Sequence, residues 1–236
     1  AYPFEEVNYD LYIEELHRIH EEEKDLVELR SDEIAWELVG PTNIGGRVTD
    51  VAINPNNPNI IFAGTASGGV FKTTDRGYNW KPVFDKAGSL STGDLAIAPS
   101  NPRVLYVGTG EANGSAASGA FAGDGMYKST DGGRSWKHIG LDHSYHIGRV
   151  VVNPKDENHV LVAVAGLLYG KNEERGLYET KDGGQTWQNI LFVSDSTSCI
   201  DVVIHPTNPN ISYAATWERI RKPWERYYGG KTSRIY

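Results

Sequence analysis

KSTDGGRSWKHIG, residues 128–140, sets a hydroxyl residue, an aspartate, two glycines, a second serine and a tryptophan within one short span. The same pattern stands at Thr73-Thr74-Asp75-Arg76-Gly77-Tyr78-Asn79-Trp80 and at Thr180-Lys181-Asp182-Gly183-Gly184-Gln185-Thr186-Trp187. A single catalytic loop does not recur in this way. The three aspartates lie 56 and then 51 residues apart, a period that belongs to repeat architectures such as solenoids and propellers.

Around each copy the chain reads as short strands. Four apolar runs end in proline, DVAINP (50–55), DLAIAP (94–99), RVVVNP (149–154) and DVVIHP (201–206), and after a short turn each is followed by a second run: IIFAGT, VLYVGT, VLVAVA and ISYAAT. A third strand, GVFKT, GMYKS or GLYET, leads into the aspartate motif, and a fourth starts from its tryptophan, as WKPVF, WKHIG or WQNIL. Four antiparallel strands per unit of about 50 residues is the blade of a β-propeller. The motif then falls at the hairpin between third and fourth strands. Its glycines supply positive φ, the Asp and Ser/Thr side chains bond nearby backbone N–H groups, and the tryptophan packs between strands. Asp75, Trp80, Asp131, Trp136, Asp182 and Trp187 are therefore read as structural. WELVG (36–40) resembles a fourth strand without its own motif, the kind of strand that completes a last blade. Three full blades and an incomplete fourth account for the chain, which reads as part of a larger protein.

Composition narrows the function. A formal charge of −8 opposes nucleic acid and other polyanions, whose binding needs a Lys/Arg excess. No run approaches the roughly 18 apolar residues of a membrane span. Cys199 is the single cysteine, which rules out an intrachain disulfide and a thiolate zinc site, and it reads as a buried structural residue. No cofactor or metal is expected.

Residues 5–30 carry no glycine or proline and place Ile13, Leu16, Ile19 or His20, and Leu26 or Val27 on one side of an amphipathic helix. The expected organisation is a helical extension at 1–35 before a propeller segment at 36–236. The helix packs either on the domain's own surface or on a partner chain.

First strands of blades line a propeller's central channel, so residues at equal offsets from the prolines form a ring: Asp50, Asp94, Arg149 and Asp201. They either pair with one another or face a ligand. Among the loops, GTGEANGSAASGAFAGDG (108–125) is a long insertion with Glu111 at its base and Asp124 near its end. LDHSYHIGR (141–149) offers His143, Tyr145 and His146 without a metal-binding spacing pattern. TWERIRKPWERYYGG (216–230) combines Trp217, Arg219, Trp224 and neighbouring Tyr and Arg residues, the composition of a binding surface.

The stretches WELVGPTNIGGRVTDVAINPNNPNIIFAGTASGGVFKTTDRGYNW, APSNPRVLYVGTGEAN, NEERGLYETKDGGQTW and RKPWERYYGG resemble the Asp-box, or bacterial neuraminidase repeat, proteins, and most of all the large secreted sortilin-like propellers often labelled glycosyl hydrolases. The resemblance implies an all-β propeller of four-stranded Asp-box blades behind the N-terminal helix. It implies a location outside the cytoplasm: secreted, periplasmic or on the outer surface. It leaves three functions open. The first is recognition of a peptide, protein or glycan by the loop face and channel, with Asp50, Asp94, Arg149, Asp201, Trp217, Arg219 and Trp224 as ligand contacts. The second is glycoside hydrolysis, with Asp50, Asp94 or Glu111 as a first carboxyl. Xyloglucanase-type relatives carry a catalytic aspartate where this chain has Ala66, which removes half of a two-carboxyl mechanism. Sialidases use three arginines, yet Arg47, Arg149 and Arg219 stand at unequal offsets. The third is a structural subunit of a cell-surface assembly.

Overall fold

In a computed structural model the chain is described at residues 8–29, 46–112, 120–222 and 224–236. The WELVG stretch and the expected boundary at 35/36 lie outside the described residues, as do positions 113–119 of the long insertion.

The helix α1 (Tyr9–Leu29) precedes the strands. The first sheet is β1 (Val48–Ile53), β2 (Ile61–Thr65), β3 (Val70–Thr73) and β4 (Lys81–Pro82). The second is β5 (Thr92–Ile97), β6 (Leu105–Thr109), β7 (Met126–Ser129) and β8 (Lys137–His138), and the third is β9 (Ile147–Asn153), β10 (Asp156–Val164), β11 (Gly176–Thr180) and β12 (Gln188–Leu191). Each is an antiparallel meander in chain order. The fourth is β13 (Thr197–Ile204), β14 (Ser212–Arg221) and β15 (Arg226–Tyr228). The first strands β1, β5, β9 and β13 neighbour one another in sequence order, so the sheets radiate from a common axis as blades of a propeller.

Fourth strands are shorter than their sequence suggests. In the first two blades only Lys81–Pro82 and Lys137–His138 pair with the third strand, and the tryptophans of the second and third blades reach back to the preceding blade, whereas the Trp80 indole bonds the Gly77 carbonyl of its own motif. The Trp136 indole donates to the Val83 carbonyl at 2.8 Å, and the Trp187 indole donates to the Ile139 carbonyl at 2.7 Å. Trp136 also meets the Phe84 ring edge-on at 5.2 Å. The third-strand lysines act in the other direction: Lys72 Nζ donates to the Gly132 carbonyl at 2.7 Å, and Lys128 Nζ to that of Gly183 at 3.3 Å.

Within each motif the bonds repeat. Ser129 Oγ donates to Asp131 Oδ1 at 2.8 Å and accepts from the Gly133 amide at 2.9 Å, while the Ser135 amide and hydroxyl donate to the two Asp131 oxygens at 3.0 and 2.7 Å. Thr180, Asp182, Gly184 and Thr186 make the same set, as do Thr73, Asp75, Gly77 and Asn79. Gly133 needs to be glycine twice over: its φ is +81°, and a Cβ there would meet the Phe62 ring of the previous blade at 2.8 Å. The aspartates thus hold the turn between third and fourth strands.

The core lies between blades. Phe62, Val70, Phe84, Leu95, Leu105 and Val107 fill the first gap, and Tyr106, Met126, Ile147, Val150, Val160 and Val162 the second. Leu161, Ala163, Leu177, Val202 and Ala214 fill the third together with Cys199, which is fully buried and whose thiol is pushed up to about 12 by that burial.

Trp136→Phe keeps an aromatic ring but removes the indole N–H that bonds the Val83 carbonyl. It is expected to lower unfolding free energy by about 1 kcal/mol in urea titration without changing the circular dichroism of the folded state. The Asn79 amide, its side chain and the Thr73 hydroxyl hold the Asp75 carboxyl down to about 2. A depressed acid contributes stability above its unfolded value that is lost as pH falls through the folded one. Melting temperature should therefore fall from about pH 4 downward, and less so in Asp75→Asn.

Candidate functional site

The meander topology sorts the connections onto two faces. Aspartate-motif hairpins and the turns between first and second strands share one face, joined by backbone bonds such as Gly132 N–H to the Arg103 carbonyl at 2.8 Å. The opposite face collects the second-to-third and fourth-to-first connections, and the long insertions belong to this loop face. The helix lies there too. Ile13 is buried against Ala122 and Tyr145, with Leu16 and Leu167 alongside. His17 Nε2 sits 3.2 Å from Asp124 Oδ2, and Asp10 accepts from the Tyr145 hydroxyl and lies 3.3 Å from His143 Nδ1. The part of the apolar stripe formed by Ile13 and Leu16 therefore covers the chain's own loop face. Ile19 stays 46% exposed and borders an open cavity of about 380 Å³ with Tyr12, Ser67, Ser91 and Phe121. The side chains of His20, Leu26 and Val27 lie outside the described residues.

On the axis the four ring residues come together, and they link blades. Asp50 Oδ2 accepts from the Leu95 amide at 3.3 Å, and Asp94 Oδ2 accepts from the Val150 amide at 2.6 Å. Arg149 Nε donates to Asp201 Oδ1 at 2.9 Å and its Nη1 to Asp94 Oδ1 at 3.4 Å. The first two first strands thus reach the next with a carboxylate, the third reaches the fourth with its arginine, and that arginine offsets part of the negative charge. Burial, followed by the nearby Asp50 charge, pushes the Asp94 carboxyl up to about 7 despite the Val150 bond.

Glu111 is buried and held by Arg47, with Nε at 2.9 Å from Oε1 and a second bond from Nη2 to Oε2. The other end of that insertion is fixed by Asp124, which accepts from the Tyr127 hydroxyl at 2.6 Å and from Thr109 Oγ1 at 3.1 Å. Ala66 is buried at the end of β2, its amide bonded to the Arg47 carbonyl at 3.1 Å. The two histidines of the 141–149 loop serve different neighbours: His143 faces Asp10, and fully buried His146 bonds the Gly166 carbonyl through Nδ1 at 3.0 Å. No group of metal-ligating side chains is found among the described residues.

The fourth blade carries the aromatic patch. Strand β14 runs past its blade register to Arg221 and turns back through β15 as a protruding hairpin, pairing Arg219 with Tyr228 and Arg221 with Arg226. The third-strand position of this blade is taken instead by Arg234–Tyr236, with Thr216 N–H donating to the Arg234 carbonyl and Ala214 and Tyr236 exchanging bonds. Trp217 stacks beneath the Arg219 guanidinium at 4.8 Å, and the Tyr228 hydroxyl accepts from Arg221 Nε at 3.1 Å. Arg219 is buried at 3% exposure, whereas Trp224 at 69% and Tyr227 at 50% stand in solvent. The patch therefore has a buried cationic base and an exposed aromatic rim.

Arg47, Arg149 and Arg219 reach separate partners: Glu111, the Asp94/Asp201 pair, and the Ala112 carbonyl. Sequence reasoning missed Arg175. It is fully buried next to β11, and a lone arginine ahead of a strand carries no periodic signal to mark it.

No family model and no curated protein matches the sequence. Among solved structures the chain is similar to an ancestral GH74 enzyme, at 22% identity and a TM-score of 0.59 over 78% of this chain and 24% of that one. It is also similar to the GH74 xyloglucanase from Xanthomonas campestris, at 17% identity and a TM-score of 0.55 over 81% of this chain and 29% of that one. An auxiliary nutrient binding protein from Bacteroides thetaiotaomicron matches at 10% identity and a TM-score of 0.50, over 81% and 41%. The chain spans about a quarter of the length of the GH74 proteins, and the likeness is one of fold.

Asp94→Asn retains an acceptor for the Val150 amide and removes the repulsion from Asp50. An acid whose pKa is raised on folding contributes stability below its unfolded value near 4 that is lost as pH rises through about 7. The wild-type protein is expected to lose stability between those pH values relative to Asp94→Asn, and the variant to be at least as stable above pH 7. Urea titrations at both ends of the range measure it.

Proposed function

We propose that the chain is the recognition part of an Asp-box propeller, with residues 1–35 as a helical extension and 36–236 as propeller. It works outside the cytoplasm, secreted or at the envelope, and binds a peptide, protein or glycan at its loop face. The β14–β15 hairpin is the observation that carries this reading: Trp224, Tyr227 and Tyr228 are exposed together at the rim above buried guanidinium groups. Aromatic planes and arginines contribute a disproportionate share of binding energy, and the same planes stack on sugar rings. Trp217, Arg219 and Trp224 are the proposed contacts on this side. Asp50, Asp94, Arg149 and Asp201 offer a charged lining on the axis.

The carboxyls favour binding over hydrolysis. Glycoside hydrolysis needs one protonated acid and one free base or nucleophile about 5–10 Å apart. Glu111 is locked in an ion pair with Arg47, Asp94 is buried against Val150 and Arg149, and a buried alanine stands at position 66. Hydrolysis is the second reading: the raised pKa of Asp94 suits a proton donor, and the base or nucleophile would have to come from another carboxyl.

Xyloglucan and other plant oligosaccharides, and a displayed peptide library, are the probes for titration calorimetry. Saturable binding to one of them is expected, weakened about tenfold by Trp224→Ala with Tyr227→Ala, which corresponds to about 1.4 kcal/mol. Binding unaffected by that double substitution overturns the assignment to the hairpin. Release of reducing sugar that disappears in Asp94→Asn would instead establish the enzyme.

A further inference from the structure

The open cavity of about 380 Å³ on the loop face is built by three segments other than the β14–β15 hairpin. Helix α1 contributes Tyr12, Leu16 and Ile19, which stand at i, i+4 and i+7 and so share one stripe of the helix. The connection from β4 to β5, residues 83–91, contributes Asp85 and Leu90, and the returning end of the long insertion contributes Phe121. Phe121 at 50% and Tyr12 at 38% exposure are both reachable from solvent. The frame around them is fixed. The Gly88 amide donates to the Tyr127 hydroxyl at 3.0 Å, the Ser89 hydroxyl donates to the Ala122 carbonyl at 3.1 Å, and Ser89 Oγ accepts from the Ser91 amide at 3.3 Å. The helix is held against this frame by Ile13, packed on Ala122 and Tyr145, and by His17 at Asp124. A cavity formed in advance costs its ligand little ordering.

The lining selects a ligand by sign and by shape. Asp85 carries the one formal charge among the described lining residues; it is exposed, and no ion pair among the described residues includes it. Arg18, on the same helix, is taken up by Glu15 and Glu22. An anion entering the cavity meets repulsion without a counter-charge. A cation meets the carboxylate and two aromatic rings, all of which attract it. The rest of the wall, Leu16, Ile19 and Leu90, is hydrocarbon. A sugar ring would set hydroxyls against that surface, and Ser89 has already spent its donor on Ala122. An aliphatic stem ending in a positive head satisfies both parts of the lining, with the stem on the hydrocarbon and the head at Asp85. The net charge of −8 adds long-range attraction of the same sign.

We propose that this cavity is a pocket for a lysine side chain of a peptide ligand, with Asp85 as counter-ion, Tyr12 and Phe121 as aromatic walls, and α1 as the element that completes it. The inference rests on the reading of the loop face as a recognition surface and specifies its ligand: a basic peptide, held at a second contact point besides the β14–β15 hairpin.

The test uses the full chain with three probes at constant low ionic strength: Nα-acetyl-lysine amide, its uncharged counterpart Nα-acetyl-norleucine amide, and methyl glucoside. Binding is followed by saturation-transfer NMR and by the rise of melting temperature that a ligand of the native state produces. Saturable binding of the lysine probe is expected, about tenfold tighter than that of the norleucine probe. Asp85→Asn, a substitution at an exposed position, is expected to bring the two to the same level, and Phe121→Leu and Tyr12→Leu each to weaken the lysine probe about threefold while leaving the norleucine probe unchanged. Equal binding of the two amides, a preference for the glucoside, or no response to the lysine probe below about 20 mM overturns the proposal. So does a loss on Asp85→Asn without any loss in either aromatic variant, which marks attraction to surface charge outside the cavity. Should a peptide still bind in a way that Trp224→Ala with Tyr227→Ala weakens, the lysine pocket falls while loop-face recognition stands.

Discussion

The bond from a tryptophan indole to a carbonyl of the preceding blade is the interaction on which the arrangement of this protein turns. A four-stranded meander has two apolar faces and cannot bury either alone. Blades become stable only when stacked, and stacking needs a register. Trp136 and Trp187 supply it by reaching Val83 and Ile139, and Lys72 and Lys128 return the link by bonding Gly132 and Gly183. The aspartate of each motif holds the turn that aims the tryptophan. What reads as a dense polar signature in sequence is therefore a device for setting one apolar sheet face against the next.

The same division of labour appears on the axis. Asp50 and Asp94 each bond an amide of the next first strand, and Arg149 bridges to Asp94 and Asp201. Blades are thus stapled at the inner edge by carboxylates and at the outer edge by tryptophans. With both edges committed to architecture, the loop face is left to vary. Its insertions differ from blade to blade: a long segment after β6, a connection organised around Arg175 after β10, and a protruding hairpin after β14. The helix adds a further layer, with Ile13 and Leu16 applied to this face rather than turned away from it.

The regularity of the loop face breaks down most at the fourth blade. There the second strand is extended, its third-strand position is filled only after the hairpin returns, and buried arginines replace the apolar residues that would otherwise fill such a space. A buried guanidinium costs more to desolvate than hydrocarbon in its place. Buried guanidinium groups beneath exposed aromatics distinguish this corner from the three repeating interfaces.

Strand order, blade period, the turns that Asp75, Asp131 and Asp182 close, and the helix were all legible in the sequence, because each is written in local terms: alternation, turn residues and a repeating motif. The grouping of Asp50, Asp94, Arg149 and Asp201 was legible too, since equal offsets in a repeat imply equal radial positions. Other features depended on the tertiary structure. Whether the ring residues pair or stand free, whether Glu111 is an available carboxyl, which surface the helix covers, and that Arg175 and Arg219 meet under one hairpin are all decided by contacts between segments tens of residues apart. Periodicity can place a residue on an axis or a face. It cannot report which charge on another blade has already reached it, because Coulombic and hydrogen-bonding partners are set by distance in space, which strand pattern alone does not encode.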